Sequence, residues 1–226
     1  MFRSCFYRSL PYRFASAWPA LHIFFLTLVA ALAGWYWLPT DSQTWLLREN
    51  GPLEGCTAAL FFLLAVLGLL WRPAHTERWS WWAVCGLCWA AGAREMDWHK
   101  QWTGKSVLKV SFYLRDAPAT HKLLALLAVL CVLACAVYLL LRYGRFLWQA
   151  LWRGDAFART IATLLVSVVF TKIMDRSVNV LTQDFAVTIA SSVVQLVSMV
   201  EEGTEMSLPL MVALAVWQHQ RQVTRA

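Results

Sequence analysis

The chain has 226 residues, of which 59% are hydrophobic and 15% charged, against about 45–50% and about 25% in soluble domains. That balance excludes a disordered chain and argues against a soluble enzyme. The excess of Lys+Arg (20) over Asp+Glu (13) then reads as a device for orienting the chain in a bilayer, not for gripping nucleic acid. The expectation is an all-α, polytopic membrane helical bundle, with residues 1–226 forming a single transmembrane domain.

A bilayer core about 30 Å thick needs roughly 20 apolar residues at 1.5 Å each. Taken in chain order, Trp18–Leu38, Leu53–Trp71, Trp79–Ala93, Leu123–Leu141 and Ala156–Met174 meet that requirement. The first reads as an uncleaved anchor, because Gly34-Trp35-Tyr36-Trp37-Leu38-Pro39 is a poor small-x-small cleavage site. Val187–Trp217 is too long for one upright span. Leu196–Trp217 is taken as a sixth, kinked by Pro209, with Ser177–Gln195 an interfacial or re-entrant stretch before it. Two connectors look amphipathic. Gly144–Asp155 is basic and aromatic and suits the surface of a leaflet, whereas Ser106–Arg115 alternates in a way that suits a strand or a short helix.

Six spans place both termini on one side. That side carries eleven of the 20 basic residues, and of the acids only Glu77 and Asp155. Six of the nine basic residues on the opposite side lie between Arg94 and Lys122. The positive-inside rule therefore puts both termini in the cytoplasm, across an inner (cytoplasmic) membrane.

Charged side chains inside a span cost about 2.5–3.5 kcal/mol on insertion scales, so their positions carry the functional argument. The third span ends in Arg94, Glu95, Asp97, His99 and Lys100. If the helix persists, Glu95 and His99 (i,i+4) share one face and Arg94 and Asp97 (i,i+3) another. The fifth ends in Lys172, Asp175 and Arg176, the sixth carries Glu201, Glu202 and Glu205, and Glu54 opens the second. The topology brings these segments to one depth in the outer half of the bilayer, with Glu201 about 8 Å in if the sixth span starts at Leu196.

Three readings of that cluster follow. In the first, Glu95, His99 and Glu202 are catalytic, Arg94 and Arg176 bind a lipid-type or anionic substrate through their forks, and Glu201, Glu205 and Asp175 hold a divalent metal, with Glu54 and Asp97 nearby. The enzyme would be a metal-dependent hydrolase or transferase. The tally of acids over cations motivates the metal, because unpaired buried carboxylates must otherwise protonate. In the second, the same acids form the path of a proton- or cation-coupled transporter or channel. In the third, they are a structural ion-pair network in an accessory subunit with a membrane-protein partner. Cys85-Gly-Leu-Cys88 and Cys131-x-x-x-Cys135 fall in mid-span and read as small packing residues, not a redox pair. No HExxH, P-loop or GxGxxG motif occurs.

Overall fold

A computed structural model describes residues 18–72, 76–103, 110–114 and 118–224. Among the described residues there are ten helices and no strand. They are α1 (Pro19–Trp37), α2 (Thr40–Leu46), α3 (Pro52–Leu70), α4 (Arg78–Glu95), α5 (Trp98–Thr103), α6 (Val110–Leu114), α7 (Ala119–Trp152), α8 (Ala156–Gln183), α9 (Ser191–Glu205) and α10 (Ser207–Thr224). Four of them, α1, α3, α7 and α8, are long and apolar enough to cross a membrane. Their outward faces agree with that reading. Along α7, Leu123, Leu124, Leu127, Leu133, Leu140 and Leu141 are all exposed, a surface that water tolerates only in small patches.

The helix boundaries have local causes. Pro19 and Pro52 open α1 and α3 at the first turn, where a missing N–H costs nothing. Pro39 follows the end of α1, and Gln43 in α2 folds back to donate from Nε2 to the carbonyls of Trp35 (2.8 Å) and Leu38 (2.9 Å), groups that a helix end leaves unsatisfied. Asp155 caps α8, its Oδ1 accepting from the Ala158 N–H at 2.9 Å.

Several expected boundaries are corrected. Gly144–Trp152 is not a separate connector: it continues α7, which runs for 34 residues without interruption. Ser177–Gln183 likewise prolongs α8, and Ser191 begins α9, so Ser177–Gln195 is two helix ends about a non-helical segment. Leu196–Trp217 is divided at Met206 into α9 and α10. The cause was legible in Pro209, which has no N–H to offer the carbonyl four residues back, that of Glu205. Of Ser106–Arg115, the described part (Val110–Leu114) is helical, and the rest lies outside the described residues.

The chain forms two compact units, one through Leu47 and from Phe146 onward, the other Arg48–Arg145. In the second unit α3 and α4 make an antiparallel hairpin. The Trp81 indole N–H donates to the Gly68 carbonyl at 2.6 Å, and Phe62 stacks on Trp98 and meets Trp89 edge-on. Gly68 and Gly92 let the two helices touch, since a Cβ there would meet Cys85 Sγ at 2.5 Å and the Phe62 ring at 2.9 Å.

In the first unit α1, α8, α9 and α10 pack together. Ala31 lies against Gly203 and Gly34 near Met199, so α1 and α9 run antiparallel. Ser167 faces Met211, and Asp155 Oδ2 accepts from Gln222 Nε2 at 2.9 Å, so α8 and α10 do too. His219 packs beside Phe157 with ring centroids 5.7 Å apart, and burial holds its imidazole below the ordinary 6.5. The folded protein therefore prefers neutral His219. Its contribution is intact above pH 6.5 and is lost as pH falls below that value, because the unfolded chain takes up the proton first. Thermal unfolding of His219→Phe should lose less stability than the parent between pH 7 and pH 5. Equal acid sensitivity would show that the imidazole is not responsible.

Candidate functional site

The acids expected to act together fall into both units, and each unit is described on its own. In the first, α8 presents Lys172 and α9 presents Glu205. Glu205 is 3% exposed, and Lys172 Nζ lies 3.0 Å from its Oε1. The approach is close without the alignment of a hydrogen bond, so the attraction is Coulombic. Lys172 also reaches Asp175 Oδ2, one turn on, at 3.5 Å, as their i,i+3 spacing anticipates. Because α8 remains helical to Gln183, the pair needs no special loop. Glu201 and Glu202 are half-buried on the same helix as Glu205, and Arg176 is exposed.

The surroundings are small and hydroxyl-bearing. Thr171, Thr204 and Ser207 are fully buried, yet their hydroxyls donate to backbone carbonyls close by in the chain: Thr171 to Val168 O, Thr204 to Val200 O and, across the break between α9 and α10, Ser207 to Thr204 O. These hydroxyls are satisfied locally, so the charges of this interior are the Lys172–Glu205 pair and Glu202, whose Oε2 is also withdrawn from solvent. Depth follows from rise. Lys172 lies seventeen residues beyond Asp155, hence roughly 25 Å along α8 from the polar end where Asp155 meets Gln222.

In the second unit α4 ends at Glu95. Met96 caps it, Asp97 adopts a left-handed φ of 48°, and α5 starts at Trp98. The expected continuous helix carrying Glu95 and His99 on one face is therefore corrected, because the chain turns between them. The His99 side chain lies outside the described residues. Glu95 is buried and pairs with Arg94, Nη1 to Oε1 3.0 Å. Glu54 accepts from the Asn50 N–H just before α3 and lies in the first turn of that helix, where the helix dipole favours an acid. Among the described residues no three His, Cys, Asp or Glu side chains are grouped so as to hold a metal ion.

Compared with known proteins, the chain matches no family model, no curated protein and no solved structure.

A second polar cluster was not anticipated. Glu77, just before α4, accepts from Ser80 Oγ (3.0 Å), Arg142 Nε (3.2 Å), Tyr143 OH (3.2 Å) and Tyr138 OH (3.3 Å). Tyr143 also donates to Ser80 Oγ at 2.7 Å. Burial pushes the Glu77 carboxyl up, but the hydrogen bonds from Arg142, Ser80 and Tyr143, with the charge of Arg142, outweigh it and hold the group below its ordinary 4.5. This cluster ties α4 to α7. The sequence signal was the rarity of the acid: Glu77 and Asp155 stand among arginines, and each holds a helix in place.

Proposed function

We propose that the chain is a multi-pass inner-membrane protein with six spans and cytoplasmic termini, in which Lys172, Glu205 and Asp175 form a proton-responsive site for coupled movement of a proton or cation. The observation that carries this is the burial of Glu205 beside Lys172 where α8 and α9 meet. Intramembrane ionisable groups are expensive; they pair with one another and mark substrate and ion paths. Lys172 has two acids in reach. Protonation of Glu205 removes the nearer one and leaves the ammonium to Asp175, which is half-buried and closer to water. The pair thus has two charge arrangements that a proton can select.

A metal-dependent hydrolase acting on a lipid is not the reading taken. Among the described residues no three His, Cys, Asp or Glu side chains are grouped to hold the metal it needs. The accessory-subunit reading has one observation in its favour: α9 is packed against α1 without slack two residues from Glu205, as a static core would be.

Reconstituted proteoliposomes with a trapped pH dye and a potassium-driven potential discriminate the two. Wild-type protein is expected to acidify or alkalinise the lumen several-fold faster than protein-free vesicles, and Glu205→Gln to abolish the difference while remaining folded. Wild-type vesicles no faster than empty ones, across the common monovalent cations, would overturn the transport reading and leave the structural one.

A further inference from the structure

The closed end of the α3–α4 hairpin holds a concavity of about 220 Å³ lined by Gly68, Leu69, Arg72, Arg78, Trp81 and Trp82. Its wall is fixed: the Trp81 indole is hydrogen-bonded to Gly68 O, and a Cβ at Gly68 would strike Cys85 Sγ. Its cations are available. Arg72 and Arg78 are exposed, and among the described residues neither forms an ion pair, the adjacent acid Glu77 being engaged by Arg142. Around it Trp71 and Trp79 are exposed together with Leu70. That collar is the kind found at headgroup level, where indole rings favour the interface.

The lining is therefore apolar on the side of the helix bodies and doubly cationic at the mouth. The volume is below the roughly 300–1,000 Å³ of sites that enclose a whole soluble ligand, which suits a phosphodiester and the first part of the chain attached to it. Arginine forks match phosphate oxygens in pairs, and anionic lipids concentrate beside juxtamembrane basic residues.

We propose that this concavity is a binding site for the phosphate headgroup of an anionic phospholipid, Arg72 and Arg78 holding the phosphate and Leu69 and Trp82 lining its chain. It belongs to the Arg48–Arg145 unit and does not depend on the role given to Glu205.

The test is thermal unfolding of the purified full chain in a neutral maltoside detergent, titrated with phosphatidylglycerol, phosphatidylcholine or inorganic phosphate. A ligand that binds the folded form raises the melting temperature in proportion to its occupancy. Phosphatidylglycerol is expected to raise it at concentrations where phosphatidylcholine does not. The concentration for half the effect should rise at least tenfold in Arg72→Gln/Arg78→Gln, and in Leu69→Trp, which fills the concavity without altering charge. Arg221→Gln, remote in sequence and stacked on Trp217, should leave the titration unchanged. Equal shifts from the two lipids, or an unaltered response in both lining variants, would overturn the site. Reproduction of the shift by inorganic phosphate alone would assign it to a free anion and overturn the lipid as its ligand.

Discussion

Lys172→Met should lower stability in detergent by about 3–5 kcal/mol, because it takes the ammonium from beside a carboxylate that is 3% exposed. Glu205→Ala should cost less, because the ammonium it leaves keeps Asp175 within reach at 3.5 Å. The informative variant is the double one. Lys172→Met with Glu205→Leu removes both charges and fills the space with apolar side chains of similar size, so it should recover most of the loss or exceed the parent. Chemical denaturation of the four proteins forms a cycle whose interaction term isolates the pair. A double variant no better than the worse single one would mean that Lys172 and Glu205 act through other groups. Asp175→Asn, where the carboxylate is half-buried and 3.5 Å from the ammonium, should cost far less, within about 1 kcal/mol.

Gly203→Ala is expected to be the most damaging change of a single methyl. A Cβ at position 203 would stand 2.5 Å from Ala31 Cβ and 3.5 Å from Ala31 Cα. Ala31 has no rotamer through which to withdraw, so α1 and α9 must separate, and overpacking of this kind costs about 1–3 kcal/mol. Ala31→Gly introduced together with Gly203→Ala restores the space and should recover most of that loss, although each substitution alone destabilises. Melting temperatures of the three variants check it. Additive losses would show that the helices do not meet at this point.

Much of the fold was written in the apolar runs. Trp18–Leu38 and Leu53–Trp71 match α1 and α3 to within a residue at each end, because proline bounds one end of each and a bilayer-length run has one way to satisfy its backbone. Where composition stayed helical on both sides of a polar change, the boundary was misplaced. Gly144–Trp152 differs from Leu123–Leu141 in solvent preference but not in helix propensity, so α7 continues through it. Of the site, spacing gave Lys172 with Asp175, a contact within one helix. It could not give Lys172 with Glu205, because pairing between helices depends on their rotation about their own axes, and small residues such as Gly203 and Ala31 set that rotation only in three dimensions. The Glu95–His99 face was lost for a local reason: its i,i+4 argument assumed helix across Asp97, which instead takes a left-handed conformation.

The uneven helix lengths bear on the membrane itself. α1 and α3, at 19 residues each, extend roughly 28 Å, close to the thickness of a hydrocarbon core and with nothing to spare. α7, at 34 residues, extends roughly 50 Å. A thinner bilayer can be met by α7 through tilt alone, and a thicker one by drawing in more of its Leu140–Trp152 end, each at a fraction of a kcal/mol per Å. The short helices have no such reserve and must deform the surrounding lipid or expose their ends. Of the four helices long and apolar enough to cross a membrane, α1 and α3 are the shortest, and reconstitution into lipids of graded acyl length would be felt first there.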